Sequence, residues 1–324
     1  MNSALRVVSV VLIFLLSMSA FAQSTWPNRL VRIVSTSPPG GSVDLFARIL
    51  AEEFTKTLGQ PFVVESRAGA NGNIGVDLVL KAPADGHLLF VAPAGPFSIN
   101  ASIMESMPFN AKKDILPVAM LGVSPLVLVV HPSVPAKDLK QLLQWMKQQD
   151  GKVNYASQAV ASTGFLAMEL LKLQAGVEAT HIPYKGSAAA ATTDLLAGRV
   201  PLSFVNTSTV LPHWRSGQLR AIAVAEIKRI QAAPEIPTVA ESGIPGFEAT
   251  SWFGLGARSG TPREIVNRLS EIASNALARP DVVARLSRIG IEPRFMGPEQ
   301  FADFVTTESV KWEDIIRRTG AKAD

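Results

Sequence analysis

The stretch Ser35-Thr-Ser-Pro-Pro-Gly-Gly-Ser-Val-Asp44 decides the fold, because it joins a predicted buried strand to a predicted amphipathic helix. Residues 30–34 (Leu-Val-Arg-Ile-Val) form a short, mostly apolar run that is typical of a buried strand. After the turn, apolar residues recur at helical spacing until Gly59 ends the helix. Two prolines stiffen the turn, and two glycines allow a ligand to approach the backbone closely. The free N–H groups and the positive dipole end of the helix favour a carboxylate or phosphate at this turn.

The Gly-Gly pair is not diagnostic by itself, since many strand–helix turns contain glycines for geometry alone. No Gly-Lys-Ser/Thr follows it, which excludes a Walker loop. The Gly-x-Gly-x-x-Gly spacing of a dinucleotide site is also absent. Ligand binding and turn geometry therefore remain alternatives for Gly40 and Gly41.

Residues 1–22 have the organisation of a secretory signal peptide. Arg6 supplies the positive start, residues 7–16 are apolar, and Ala20-Phe-Ala22 fits a cleavage site. We predict export with cleavage after Ala22; a retained N-terminal anchor is the alternative. The chain has no cysteine and needs no disulfide in an oxidising compartment, because its length allows a sufficient core.

Composition and charge restrict the classes of partner. The chain has 31 Lys and Arg against 27 Asp and Glu, a net charge of +4. Because the basic residues are scattered rather than clustered, we expect no nucleic-acid partner. A mild positive excess slightly favours anionic solutes. The 324 residues are enough for two α/β domains.

Strand-like and helical segments alternate along most of the chain, which predicts parallel sheets with helices on both faces. After residues 252–256 we predict helices only, over residues 262–278, 280–289 and 298–319, each opened by a proline. Such a terminal block implies that the chain returns to its first domain. The predicted α/β fold has lobe 1 at residues 23–126 and 253–324 and lobe 2 at residues 127–252. Two hinge strands, near residues 127–130 and 252–256, join the lobes around a ligand cleft.

Short motifs along nearly the whole mature chain, from about Trp26 to Ala321, resemble one family in their order and spacing. They are Trp26-Pro27, Pro38-Pro-Gly-Gly-Ser-Val-Asp44, Leu58-Gly-Gln-Pro-Phe-Val-Val-Glu65, Gly69-Ala-Asn-Gly-Asn-Ile-Gly75, Ala84-Asp-Gly86, Val129-Val-His-Pro132, Ile182-Pro-Tyr-Lys-Gly186, Pro237-Thr-Val-Ala-Glu241, Gly246-Phe-Glu248 and Ser251-Trp-Phe-Gly-Leu255. The chain is similar to the receptors of tripartite tricarboxylate transporters, the Bug family.

This resemblance implies a periplasmic binding protein of the type II fold class. It implies that a small organic carboxylate is held in the cleft, largely by backbone N–H groups and ordered water. The receptor would pass this ligand to the membrane permease subunits of the transporter, without catalysing a reaction.

The resemblance also implies which segments contact the ligand. They are residues 36–44 of lobe 1 and residues 157–164 of lobe 2, and both lie at helix N-termini, which suit a carboxylate. The candidate ligand-binding residues, including three at the ends of other strands, are Thr36, Ser37, Pro38, Gly40, Gly41, Asp44, Ala94, Gly95, Ser157, Gln158, Val160, Ala161, Ser162, Thr163 and Asn206.

Several of these residues have two predicted roles. Ser42, next to the glycines, is a candidate cap of its helix. Asp44 either stabilises the helix dipole or coordinates an ammonium group or water. One hydroxyl of the second loop is expected to cap a helix and at least one other to reach the ligand. Asn206 contacts the ligand or is a buried structural amide.

The second loop departs from the family pattern where the ligand is expected. Val160 and Ala161 occupy glycine-like positions, Phe165 replaces a usual histidine, and Val205 replaces a usual carboxylate. Fewer polar partners penalise a ligand with hydroxyl or ammonium groups. The pattern favours an apolar-bodied acid, such as an aromatic mono- or dicarboxylate like terephthalate. Phe165 either stacks on such a ring or points into the core.

We predict no catalytic residue, metal or cofactor, and a monomer. The four histidines lack metal-ligand spacing, no serine lies in a nucleophile elbow, and no acid–base pair can be placed. An enzyme on the same two-lobed fold, or a receptor that feeds a signalling partner, are the alternative functions.

Overall fold

A computed structural model describes residues 26–184 and 188–322 of the chain. The predicted signal peptide and its cleavage site lie outside the described residues. Within the described residues, no helix has the length and apolarity needed to cross a membrane.

Strands and helices alternate along the described chain. The strands are β1 (Val31–Ser35), β2 (Phe62–Ser66), β3 (Leu88–Pro93), β4 (Ile115–Ser124), β5 (Leu126–Val130), β6 (Asn154–Ser157), β7 (Thr180–Pro183), β8 (Leu202–Asn206), β9 (Arg220–Val224), β10 (Ser251–Arg258) and β11 (Glu292–Met296). The α-helices are α1 (Ser42–Leu58), α2 (Asn73–Leu80), α3 (Asn100–Ile103), α4 (Ala111–Asp114), α5 (Leu139–Gln148), α6 (Thr163–Ala175), α7 (Ala188–Leu196), α8 (Thr207–Arg215), α9 (Arg263–Leu277), α10 (Pro280–Ser287) and α11 (Pro298–Thr319). Two further helical segments are a 3₁₀ turn (Ala70–Gly72) and a π-helical turn (Gly95–Ile99).

The strands form two mixed sheets. The first has the order β11-β4-β10-β3-β1-β2, and the second has the order β7-β6-β8-β5-β9. β1 is parallel to β2 and β3, and β6 is parallel to β7 and β8. The carboxyl ends of β1 and β6 lead into the two predicted ligand loops, at the sheet edge where α/β proteins bind ligands.

The prediction of purely parallel sheets is wrong for strands near the passage between sheets. β10 is antiparallel to β3 and β4, and β5 is antiparallel to β8 and β9. The chain leaves the first sheet at the end of β4 and re-enters it at the start of β10, and because these two points are paired, the strands run in opposite directions. The passages lie at Pro125 and at residues 225–250, so each predicted hinge strand pairs within one sheet only.

The prediction of helices only after residue 256 is also wrong. β11 forms there and pairs with β4 at the edge of the first sheet. Its sequence, Glu-Pro-Arg-Phe-Met, has no long apolar run. An edge strand whose residues are mostly half-buried does not require one, so apolar patterning does not reveal it. The three predicted helices correspond to α9, α10 and α11, with ends that differ by two residues at most.

One apolar cluster connects the two sheets through their helices. It includes Phe90 of β3, Trp252 of β10, Phe301 of α11, Leu166 of α6 and Leu202 of β8. Helix α11 contacts α6, so the C-terminal helix of one lobe packs against the helix that opens at the second ligand loop. A second cluster lies on the other face of the first sheet, beneath α1 and α9.

A buried carboxylate attaches α11 to β10. Glu308 Oε2 accepts hydrogen bonds from Trp252 Nε1 at 3.1 Å and from Trp312 Nε1 at 2.9 Å. Its other oxygen accepts one from Lys311 Nζ at 2.9 Å. Both tryptophans are fully buried, so this single acceptor satisfies two indole N–H groups that cannot reach water.

We expect Glu308→Ala to lower the free energy of unfolding by about 2–4 kcal/mol, because each unpaired buried indole costs ~1–3 kcal/mol. Urea denaturation measures the change. Glu313→Ala on the same helix is the matched control, since Glu313 is exposed, and should stay within about 0.5 kcal/mol of the native protein. Equal effects of the two substitutions would contradict this role of Glu308.

Candidate functional site

The first predicted loop, residues 36–41 (loop A), joins β1 to α1. Gly41 is the N-cap of α1, with an extended backbone at φ −82° and ψ 176°, and no side chain caps the helix. The first-turn N–H groups of α1 are therefore available to an anion, at the positive end of the helix dipole. The capping role predicted for Ser42 is wrong, because Ser42 is already the first helical residue.

A side chain from the first turn of α1 shapes loop A. Gly40 has φ +84°, a left-handed conformation that favours glycine, and its N–H donates to Asp44 Oδ2 at 3.0 Å. Arg48 Nε donates to the same oxygen at 2.8 Å. The Gly40 N–H is thus occupied within the loop, whereas the Gly41 N–H has no hydrogen-bond acceptor among the described residues. Pro38 lies exposed at the tip, and the Ser37 carbonyl accepts a hydrogen bond from Ser35 at 3.3 Å.

Asp44 remains ionised near neutral pH although it is only 3% exposed. Burial raises its pKa, but the hydrogen bonds from Arg48 and Gly40 and the charge of Arg48 outweigh burial and hold the pKa below its usual range. Because folding lowers the pKa of Asp44, the ionised carboxylate stabilises the folded state at pH values above its pKa in the unfolded chain. This stabilisation is lost as the pH falls through the pKa of Asp44 in the folded state. Asp44 Oδ1 and Thr36 Oγ1 are buried and have no hydrogen-bond partner among the described residues.

The second predicted loop, residues 158–162 (loop B), joins β6 to α6 and is folded around one carbonyl oxygen. Ser157 Oγ and Ser162 Oγ both donate to the oxygen of Ala159, at 3.0 and 2.7 Å. Ser162 is also the N-cap of α6 and accepts from Phe165 N at 3.3 Å. The hydroxyl of Thr163 has no hydrogen-bond partner in residues 26–184 and 188–322, so it is the free hydroxyl of this segment.

The other side chains of loop B differ in polarity and exposure. Gln158 is exposed, and Val160 is half-buried against the main apolar cluster. Ala161 is buried and has φ +69°, a left-handed conformation that is unfavourable for alanine.

Phe165 lies in the core of lobe 2 rather than beside a ligand. It is 6% exposed, and its ring centroid lies 4.6 Å from that of His181 and 6.5 Å from that of Tyr155. His181 Nε2 lies 2.6 Å from Ser157 Oγ, and because the Ser157 hydroxyl donates to a carbonyl, the imidazole N–H donates to Ser157. Burial lowers the pKa of His181 to about 4, which keeps the ring neutral near pH 7.

Ala94 and Gly95 lie behind the cleft and are buried. The Ala94 carbonyl accepts from Ser98 Oγ at 3.1 Å. A Cβ on Gly95 would lie 2.9 Å from Asn100 Oδ1 and 3.2 Å from Asn71 Nδ2, so glycine leaves room for two amide side chains. Gly95 therefore makes room for two amide side chains that the predictions did not include.

Three asparagines, Asn71, Asn73 and Asn100, form this group, here called the asparagine cluster. Asn71 Nδ2 donates to Asn100 Oδ1 at 2.8 Å, and Asn100 Nδ2 donates to Asn73 Oδ1 at 2.7 Å. Asn71 Nδ2 also lies 3.4 Å from the carbonyl oxygen of Ala161 in loop B. Thr36 adjoins the same turn, since a Cβ on Gly72 would lie 3.3 Å from Thr36 Oγ1. The cluster therefore connects loop A with loop B. In the sequence, the motif of residues 69–75 was the feature that could have indicated it.

Asn206 lies at the passage between the sheets. Its Nδ2 donates to the carbonyl oxygen of Ser124 at 3.3 Å, next to Pro125. Thr207 follows it and donates to the Pro125 carbonyl through both its N–H (2.8 Å) and its hydroxyl (2.7 Å). These bonds favour the structural role that was the alternative for Asn206.

Two surface grooves lie away from these loops. One of about 440 Å³ is lined by Ser208, Leu211, Pro212, Arg215, Ala232, Ser287, Arg288 and Gly290. One of about 240 Å³ is lined by Arg29, Leu30, Arg32, Ala82, Pro83, Asp85, His87 and Leu88. Neither is lined by loop A, loop B or the asparagine cluster. We nevertheless assign the candidate site to these loops, because both lead into helix N-termini and the cluster contacts loop B. No group of three or more metal-ligating side chains occurs within residues 26–184 and 188–322.

Comparison with known proteins identifies the family and the fold of this chain. The model of the tripartite tricarboxylate transporter family receptor matches residues 46–321. Protein BugT of Bordetella pertussis is 38% identical over 321 residues, which cover 98% of each chain. The structure of R. palustris Rpa4515 with adipate has a TM-score of 0.83 at 34% identity and covers 92% of this chain and all of its own. MatC from Rhodopseudomonas palustris with bound malate has a TM-score of 0.77 at 31% identity, covering 90% and 100%. These likenesses confirm the predicted fold class and the family resemblance.

The two glycines of loop A should respond differently to alanine. Gly40→Ala should lower the free energy of unfolding by about 1 kcal/mol, because alanine is strained at φ +84°. Gly41→Ala should change it by less than about 0.5 kcal/mol, since its backbone is extended and a Cβ would lie 3.6 Å from the nearest atom. Urea denaturation of both variants measures the difference. A larger loss for Gly41→Ala would contradict the loop geometry.

Proposed function

Because this chain belongs to the tripartite tricarboxylate transporter receptor family, we propose that it captures a small organic carboxylate between its lobes and delivers it to the permease subunits of the transporter. Receptors of this family are periplasmic solute-binding proteins and not enzymes, so the chain is a periplasmic receptor. Cleavage after Ala22 and a monomeric mature protein are parts of the same proposal.

The observation that carries the proposal is the contact of loop B with the asparagine cluster, whose turn adjoins Thr36 of loop A. Each loop opens a helix, and the first turn of α1 has no side-chain cap. Backbone N–H groups at a helix start are suited to a carboxylate, whose charge the dipole stabilises. The contact between Asn71 and Ala161 supports placing these two loops on either side of one small ligand.

We propose further that the ligand has a hydrocarbon body between or beside its carboxylates. In residues 157–164 the hydroxyls of Ser157 and Ser162 both donate to the Ala159 carbonyl, which leaves Thr163 as the free hydroxyl and the half-buried Val160 as apolar surface. Among relatives of known structure, one is described with adipate, a linear dicarboxylate without hydroxyl groups. The buried Phe165 offers no stacking surface, so an aromatic acid such as terephthalate would be accepted for its shape and apolarity alone.

The described geometry also supports a proposal for how the lobes move. Lobe 1 would comprise residues 23–126 and 253–324, and lobe 2 would comprise residues 127–252. Pro125 and residues 225–250 would then absorb the rotation between them. Two chain passages side by side allow a hinge rotation while both sheets keep their internal pairing.

Ligand class can be tested by thermal shift followed by calorimetry. We expect adipate and terephthalate to raise the melting temperature more than citrate, malate, aspartate or glutamate at equal concentration, because a ligand stabilises the folded state according to its affinity. Benzoate tests whether one carboxylate suffices. Tighter binding of a hydroxy or amino acid than of every hydrocarbon acid would contradict the proposed class, and no binding of any acid would contradict the function.

The role of loop A can be tested with Gly41→Val. A valine side chain beside the first turn of α1 should block close approach of a carboxylate and weaken binding of adipate at least ~30-fold, the equivalent of about 2 kcal/mol of charge-assisted hydrogen bonds.

The matched control is Gly297→Val. Gly297 is likewise the uncapped N-cap of a helix, α11, with an extended backbone at φ −70° and ψ 177°. Both variants should keep nearly native melting temperatures, and the control should keep native affinity. If calorimetry shows that Gly41→Val binds adipate with native affinity, the carboxylate does not bind at the first turn of α1.

A further inference from the structure

The strongest observation outside the predicted residues is the contact that crosses from the asparagine cluster to loop B. Asn71 lies in the turn between α2 and β2, a strand of the first sheet. Ala161 lies in the loop after β6, a strand of the second sheet. Their contact, Asn71 Nδ2 to the Ala161 oxygen, is 3.4 Å, at the long end for a hydrogen bond.

The orientation of each amide follows from backbone carbonyls, which can only accept hydrogen bonds. Asn100 Nδ2 lies 3.2 Å from the Asn71 backbone oxygen, so the oxygen of Asn100 must face the Asn71 side chain. Asn71 then presents its nitrogen both to Asn100 Oδ1 and to the Ala161 carbonyl. Asn73, whose oxygen accepts from Asn100, directs its nitrogen to the sulfurs of Met104 and Met107, each at 3.2 Å.

The cluster is rigidly supported on the side of lobe 1. Asn100 is fully buried and Asn73 is 3% exposed, whereas Asn71 is half-buried and stands at the boundary with lobe 2. A buried and fully connected amide network holds its members in one arrangement, because a broken member would leave an unsatisfied polar group. Asn71 therefore presents its N–H₂ group to lobe 2 in a fixed position.

Both ends of the contact have unusual backbone conformations. Residues 69–72 all have positive φ, and Asn71 has φ 52°. Ala161 has φ +69°, although alanine, unlike asparagine, rarely adopts this conformation. Backbone strain of this kind persists only where surrounding contacts enforce it, and it clusters at functional sites.

We infer that Asn71 is a positioning residue of the carboxylate site: it donates across the cleft to Ala161 and thereby fixes loop B opposite loop A. The inference rests on the proposed function, because it assigns to this contact the separation of the two loops that hold the ligand. Loss of the contact weakens ligand binding although Asn71 need not touch the ligand.

The test compares three variants. Asn71→Gly keeps the left-handed backbone without strain and removes the amide. Asn71→Asp keeps the shape but places a carboxylate, which cannot donate, against the Ala161 carbonyl. Asp150→Gly is the matched control, since Asp150 is an exposed non-glycine residue with φ 49° that lies outside the cluster.

Two measurements are made on each protein, calorimetry with adipate and hydrogen exchange of the loop B amides without ligand. We expect Asn71→Gly to weaken adipate binding about five-fold, as for the loss of one hydrogen bond, and to accelerate exchange in loop B. Asn71→Asp should bind adipate more weakly still, and Asp150→Gly should match the native protein in both adipate affinity and loop B exchange. If adipate does not bind the native protein, the acid with the largest thermal shift in the panel above replaces it.

The outcomes separate the two ideas. If the native protein binds none of the acids, the proposed function fails and the inference with it. If the native protein binds an acid and Asn71→Gly binds it equally well, the inference alone is overturned. Unchanged exchange in loop B also overturns it, because the contact then does not hold that loop.

Discussion

The pairing of β4 with β10 is the constraint on which the rest of the structure depends. The two strands pair from Ile115 and Arg258 to Ser124 and Ser251, over almost their whole length. The chain leaves the first sheet at the end of one strand and returns at the start of the other, so both passages lie at one end of the pair. Glu308 reinforces the pairing, because it ties the C-terminal helix to Trp252 on the returning strand.

Much of the fold could be predicted because it depends on local patterns. Apolar periodicity and glycine or proline boundaries located α1, α9, α10 and α11, and the alternation of elements indicated two α/β lobes. The direction of β10 and β5 could not be predicted in this way, since it depends on which strands become neighbours. β11 was missed for a related reason, because an edge strand with few buried residues has no distinct apolar pattern. The family resemblance, and not periodicity, carried the assignment of the ligand loops.

The candidate site was predictable at the level of segments but less so at the level of atoms. Residue type could not indicate that Asp44 would bond the Gly40 N–H, or that two serines would share the Ala159 carbonyl. Both arrangements depend on turns whose geometry a sequence does not fix. The asparagine cluster was not predicted because its members come from three segments, and uncharged amides in a glycine-rich turn resemble ordinary turn residues. Which acid this site prefers remains a proposal for binding measurements.

The apolar cluster that continues from the first sheet through α11 to α6 has a thermodynamic consequence. Any opening of the lobes that separates α11 from α6 transfers apolar surface to water, so the closed arrangement has the lower heat capacity. Because apolar burial stabilises less on cooling, the balance between the two arrangements shifts towards the open one in the cold. We therefore expect the equilibrium between open and closed lobes to depend on temperature through the hydration of this apolar contact.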